Sequence, residues 1–268
     1  MSESICLKDL RVRLGGKDYV PLMVGGMGVN ISTAEMVLAV EKLGGIAHLS
    51  DAMLMDLCDR LYGTTYTANK AKRYYGCQKN PDKSDNHFDL NDLREATLRY
   101  VGDVMSRATG KGLVFINCME KLTFNAPHES LSVRLNSALD AGIDGITLSA
   151  GLHLSSFKLM SENKRFRSAL LGIVVSSVRA LNLFIRKNKA LDRLPDYIVV
   201  EGPLAGGHLG FGEDWREYSL ETIVKDVKAY LAENDLQIPV FAAGGIFTGG
   251  DAVRMIREVG ADGVQVAT

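Results

Sequence analysis

The chain has 268 residues, 46% of them apolar and 24% charged, with a net charge of −1. This is the composition of a folded globular chain, and its near-neutral balance gives no electrostatic case for nucleic acid or an anionic membrane surface as partner. The start, Met1-Ser2-Glu3-Ser4, lacks the basic and apolar regions of a signal peptide, and no apolar run is long enough to span a bilayer, so a cytoplasmic protein is expected.

Val20–Val24 reads as a first buried strand and ends in Gly25-Gly26-Met27-Gly28. A helix over Thr33–Leu43 follows, started by Ser32 or Thr33 with Glu35 in its first turn, and Gly44-Gly45 stops it. Ile46-Ala47-His48-Leu49 is a second strand. The segment Asp51–Phe88 is too long for an ordinary connection and carries Tyr62, Tyr66, Tyr74 and Tyr75 among lysines and arginines. Asp51–Gly63 reads as partly helical, and the rest as a lid over the active face or a partner surface. A decorated insertion without a role in chemistry is the alternative. A helix near Leu90–Ala108, a strand at Leu113–Asn117, a helix near Glu129–Ala141 and a strand at Gly145–Ser149 come next. Val174-Val175 and their neighbours make a fifth strand, with a helix over Val178–Lys189. Strand six is Tyr197–Val200, followed by a helix over Ser219–Glu233. Strand seven is Val240–Ala243, followed by a helix over Thr248–Val259, and strand eight is Gly263–Ala267.

Strands apolar on both faces, alternating with amphipathic helices, predict an α/β fold with a parallel sheet. Their number predicts a closed (β/α)8 TIM barrel, with an open doubly wound sheet as the alternative. Residues 1–268 read as one domain, with 51–88 inserted after strand two. The sequence stops at Thr268, where strand eight would hand over to helix eight, so an eighth helix missing or truncated is expected. The outer apolar face of strands one and eight is then expected to be exposed or covered by a partner, either a second copy or another protein, which could also dock on the insertion. Residues 1–19 are expected to supply a cap there and no full helix.

The cysteines Cys6, Cys58, Cys77 and Cys118 form no Cys-x-x-Cys pair and have no histidines at zinc spacing, so no metal site is expected. Scattered cysteines fit reduced thiols. Cys118 follows a strand that points toward the active face, and a buried inert thiol is the plainer reading.

In a barrel the ligand sits at the C-terminal ends of the strands. The residues there are Gly25-Gly26-Met27, His48 to Asp51, Asn117, Ser149-Ala150-Gly151, Ser176-Ser177, Gly206-Gly207-His208, Gly244-Gly245 and Gln265 to Thr268. They include no carboxylate pair and no cation cluster, which argues against glycoside hydrolysis and divalent-metal chemistry. Glycines let backbone N–H groups approach a phosphate closely. Gly244-Gly245-Ile246 before Thr248 suits half of the phosphate site that barrels place after strands seven and eight, and Thr268, at the end of strand eight, suits the other half. A phosphate held by backbone, with the amides of Asn117 and Gln265, suits flavin mononucleotide. His208 is then the side chain placed to exchange protons near neutral pH, the alternative being a histidine that only orders its loop. His87, His128 and His153 read as solvent-facing and His48 as a core histidine.

Three groups of residues carry a resemblance. They are Pro21 to Gly28 with Leu43-Gly44-Gly45, Glu201-Gly202 with Ala205-Gly206-Gly207-His208-Leu209-Gly210, and Ala243-Gly244-Gly245-Ile246 with Gly260-Ala261-Asp262-Gly263-Val264-Gln265. With them the chain resembles the nitronate monooxygenase (2-nitropropane dioxygenase-like) family, which includes FMN-dependent enoyl-acyl-carrier-protein reductases. The resemblance implies a barrel binding FMN non-covalently, with Gly25, Gly26 and Met27 lining the flavin through their backbone. It implies further contacts from Asn117, Gly206, Gly207, Gly244, Gly245, Gln265, Ala267 and Thr268, and makes His208 the active-site histidine. The implied reaction is oxidation of an alkyl nitronate with oxygen to a carbonyl compound and nitrite. An NAD(P)H-dependent reduction of an enoyl thioester is the second reading, and a non-catalytic module docking an acyl-carrier or synthase protein the third. The chain departs from the family pattern at Leu204, where a glutamate is usual, at Gly25-Gly26-Met27, and in the 51–88 insertion.

Overall fold

The computed structural model of the protein describes residues 7–28, 31–77, 82, 84–120, 122, 125–207 and 210–267. Eight parallel strands close into a barrel in chain order: β3 (Leu22–Val24), β4 (Ile46–Ser50), β5 (Leu113–Met119), β6 (Gly145–Ser149), β7 (Leu170–Val175), β8 (Tyr197–Glu201), β9 (Val240–Ala243) and β10 (Gly263–Val266). β10 closes the ring on β3, with Gln265 opposite both Met23 and Ala243. The open doubly wound alternative is thereby excluded. Among the described residues, no helix is long and apolar enough to cross a membrane.

Between the strands run α1 (Ala34–Lys42), α4 (Leu90–Arg107), α5 (Pro127–Asp140), α6 (Ser156–Met160), α7 (Val178–Asn188), α8 (Leu220–Glu233) and α9 (Gly249–Arg254), the last prolonged by a π-helical turn over Met255–Val259. Their starts follow from side chains that satisfy the free N–H groups of a first turn. Thr33, Asp89, Ser177, Ser219 and Thr248 each accept from such a group.

The barrel interior is filled by aromatic rings set against glycines. Phe115, Tyr197 and Phe241 point inward, and each lies in register with a glycine on a neighbouring strand: Gly145, Gly172 and Gly263. A Cβ on those glycines would stand 2.7, 2.1 and 2.5 Å from the facing ring. Small residues thus make the room that large ones fill, as close packing of a barrel interior requires.

Two short strands precede the barrel, β1 (Val12–Leu14) and β2 (Lys17–Tyr19), paired antiparallel. Their turn is Gly15-Gly16, with φ of 55° and 82°, the left-handed pair that tight hairpins need. Val12, Leu14 and Tyr19 are buried together with Met23, Leu113 and Phe115 inside the barrel. The hairpin therefore plugs the end where the strands begin. It is the cap expected of residues 1–19, placed on the barrel floor and not on its flank.

The flank between β3 and β10 differs from the rest of the wall. Leu22, Val24 and Val266 point outward there and are half-buried, whereas outward residues of β4 to β9 such as Leu49, Ile116, Ile146 and Val200 are fully buried. The expected apolar strip is thus present in reduced form.

The segment after β4 folds as α2 (Leu54–Tyr62) and α3 (Tyr66–Arg73), joined at Gly63. Asp59 organises this corner by accepting from the Tyr66 and Thr67 N–H groups and the Thr64 and Thr67 hydroxyls. α2 packs on α4 through Leu54, Met55 and Cys58.

Candidate active site

The loops after β3, β5 and β10 meet at the barrel mouth. β5 alternates so that Phe115 and Asn117 face the axis while Cys118 faces out. Asn117 lies under Gly26: a Cβ on Gly26 would stand 2.4 Å from the Asn117 Cβ. Gln265 reaches the neighbouring glycine, where a Cβ on Gly25 would stand 3.1 Å from the amide carbon. The Gly25 N–H donates to the Val266 carbonyl at 2.8 Å, which ties the first loop to the last strand. The Met27 N–H donates to the Ser32 hydroxyl at 2.7 Å, so what Met27 has left for a ligand is its carbonyl.

The loops after β8 and β9 form a second group. Gly244 (φ 105°) and Gly245 (φ 72°) lie against Ala205 and Leu204, at a built-Cβ distance of 2.7 Å from the Ala205 nitrogen. Among the described residues, nothing stands within 4 Å of a Cβ built on Gly206 or Gly207. Glu201, Ala243, Gln265 and Met23 are consecutive partners across four strands, and they join the two groups into one rim. Ala267 is exposed just above it. His208 and Thr268 lie outside the described residues. All ten other expected cofactor residues stand at the C-terminal ends of barrel strands or in the loops after them.

A group not singled out from the sequence also stands there. Glu201 ends β8 pointing inward, half-buried and without a charged partner among the described residues. Burial pushes its carboxyl up to about 7. The signal was available, since a lone carboxylate ending the apolar run Tyr197-Ile198-Val199-Val200 is unusual in a buried strand.

Beneath the rim lies a closed polar chain. His48 is fully buried and places Nδ1 2.7 Å from the Val24 carbonyl and Nε2 2.5 Å from the Thr147 hydroxyl, which is 2.5 Å from the Tyr197 hydroxyl. A carbonyl only accepts, so Nδ1 carries the proton, Thr147 donates to Nε2, and Tyr197 donates to Thr147. Burial, opposed by the Val24 bond, lowers the imidazole to about 4, so it stays neutral. His48 is therefore the core histidine expected. Thr147→Val should leave Nε2 and the phenol unpaired and destabilise the protein by about 1–3 kcal/mol in urea denaturation, whereas a loss within error would mean that the chain adds nothing to stability.

Two readings need correction or completion. His153 is not solvent-facing: it is 1% exposed, bonded to the Ser156 hydroxyl and the Ser149 carbonyl, and lowered to about 4 by burial. Its left-handed backbone (φ 48°) turns the ring inward from what reads as a polar loop. Cys118 is buried on the outer side of β5, and burial raises its thiol well above the usual range. It is the inert alternative.

The residues present fit a flavin. They offer a glycine backbone for a phosphate, two amides for a heterocycle, and a tight seat in which any Cβ at position 26 would clash.

No curated protein matches the chain in sequence. Among solved structures, inosine 5′-monophosphate dehydrogenase from Legionella pneumophila superimposes with a TM-score of 0.57 at 16% identity, covering 100% of this chain and 64% of that one. The chain thus spans about two thirds of that enzyme's length. An oxidised active mutant of (S)-mandelate dehydrogenase superimposes with a TM-score of 0.54 at 13% identity, covering 96% of this chain and 70% of that one. At such identities these likenesses speak for the barrel alone. Residues 125–268 match the nitronate monooxygenase family model, and these residues hold β6 to β10 with the glycine loops after β8 and β9. With more than half of its length so matched, the chain belongs to the nitronate monooxygenase family of oxidoreductases.

Proposed function

We propose that the protein is an FMN-dependent oxidoreductase that oxidises alkyl nitronates. The observation that carries this reading is the seat made by Gly25 and Gly26 over Asn117 and Gln265, found in a member of this family. Gly244, Gly245 and the α9 start would take the phosphate, with Thr248 fixing that helix through a reciprocal cap with Asp251. When bound, FMN accepts electrons from the substrate and hands them to oxygen. The chain's own part is to bind, orient and manage protons. Asn117 and Gln265 offer amide groups to the ring, and His208 would hold the nitro oxygens or take the α-proton of a neutral nitroalkane. With Glu201 largely protonated below pH 7, the rim presents little negative charge to an anionic nitronate.

The test is nitrite release from propionate 3-nitronate by FMN-loaded protein. His208→Ala is expected to slow it by about 10²-fold or more, the usual weight of one proton-transferring group. No nitrite from the unaltered protein, or equal rates from the two, rejects the proposal. Rapid flavin bleaching by NADPH without oxygen would favour reduction of an enoyl thioester instead.

A further inference from the structure

A second cavity lies beside the mouth, beyond the ends of β4 and β5 and between α2, α4 and α5. It holds about 90 Å³, opens to solvent, and is walled by Leu54 and Met55 of α2, Leu93 of α4 and Phe88. The Lys70 ammonium sits 3.4 Å over the Phe88 ring and holds it as the outer wall. Asp51 and Arg134 also line it. The inserted segment is thus the roof of a small open pocket, with room for a few heavy atoms.

The polar part of this pocket is incompletely paired. Arg134 Nη1 donates to the Asp51 carboxylate and to the Met119 carbonyl, and both charged side chains are 1% exposed. The Asp51 carboxylate also feels the Met119 N–H and the Cys118 thiol, yet Asp51 Oδ1, Arg134 Nε and Arg134 Nη2 have no partner within hydrogen-bond distance among the described residues. Buried donors and acceptors left unpaired are rare, because each gives up its bonds to water. Nε and Nη2 form one edge of the guanidinium and take two oxygens side by side. Asp51 Oδ1 asks for a donor. A head group that both donates and accepts satisfies this set, and the apolar walls ask for a hydrocarbon body.

We propose that this cavity binds a short aliphatic carboxylic acid or its primary amide, with the head group on Arg134 and Asp51 and the chain among Leu54, Met55, Phe88 and Leu93. The ion pair is neutral as a whole, so a bound acid must share a proton with Asp51, whose carboxyl burial pushes upward against the pull of Arg134. An amide needs no such proton. The acid therefore loses affinity as pH rises, and the amide does not. The alternative is a cavity completed by water alone.

The test is a titration of the full chain, labelled with ¹³C at its methionine methyls, with butanoic acid and butanamide. Met55 walls the cavity and Met53 lines its rim, while Met27 belongs to the mouth. Saturable shifts of the Met53 and Met55 signals with Met27 unmoved, and a rise in Tm, are the expected result. Leu93→Trp, which fills the pocket and leaves the ion pair intact, is expected to weaken binding about tenfold or more, equivalent to roughly 1.4 kcal/mol. The wild-type titration places the ligand without any variant. No saturable shift with either probe up to about 10 mM, where a useful ligand would already stabilise the fold, overturns the proposal and leaves a hydrated cavity. Shifts confined to Met27 overturn it as well. The readout needs no flavin, so it stands apart from the proposed reaction.

Discussion

Gly26→Ala is expected to cost the protein most of its flavin affinity while leaving the barrel folded. The added methyl would stand 2.4 Å from the Asn117 Cβ, and that atom cannot swing away because it is anchored to β5. Carbon atoms rest about 3.5–4.0 Å apart, so the loop must lift by about 1 Å. Overpacking of this kind costs about 1–3 kcal/mol. Lifting the loop also parts the glycine backbone from the Asn117 amide, and both groups form the proposed seat. The expected loss in FMN affinity is about 10- to 100-fold, at roughly 1.4 kcal/mol per tenfold. Quenching of FMN fluorescence measures it, with circular dichroism as the control for folding. An alanine variant that binds FMN as tightly as the unaltered protein would remove Gly26 from the site.

Glu201→Gln is expected to leave stability unchanged near pH 4 and to raise it above pH 7. In the unfolded chain this carboxyl ionises near its ordinary 4.5, and in the barrel burial raises it to about 7. Between those values the folded protein holds a proton that the unfolded chain has released, so stability falls as pH rises through this window. Above it both states are ionised and the buried carboxylate carries its full desolvation cost. A shift of this size corresponds to about 3–4 kcal/mol, and glutamine, which never ionises, escapes it. Thermal melts from pH 4 to 9 should therefore diverge with increasing pH, the variant melting higher. Parallel curves would show that Glu201 is solvated or paired. The same charge bears on substrate, because above pH 7 the rim acquires a carboxylate and an anionic nitronate should bind more weakly.

The barrel was legible because its strands are apolar on both faces and its helices carry their caps in the sequence. Gly145–Ser149 and Val240–Ala243 match the structure to the residue. The hairpin does not stand out in the sequence, although Val12, Leu14 and Tyr19 flank a Gly-Gly turn with the right alternation, because three-residue strands give too short a period. α3 has no signal in the sequence because its apolar stripe is nearly absent and only Tyr66 is buried. Most rim residues were legible because barrel ligands sit at known strand ends. Glu201 is marked in the sequence only as a carboxylate closing an apolar run; that it has no charged partner shows only in the fold. The Asp51–Arg134 pair joins residues 83 positions apart, and neither local pattern announces it.

The pairing of β10 with β3 also dictates when the mouth can exist. Leu22 meets Val264, a separation of more than 240 positions, and Gly25 meets Gln265 by the same closure. Contacts between such distant positions form late, after shorter loops have closed. Residues 22 to 28 can therefore leave the ribosome long before their seat is available, and until β10 arrives the nascent sheet has two open edges. Flavin, whose proposed seat spans that seam, would act as a clamp on the finished ring, slowing its reopening more than it speeds its formation.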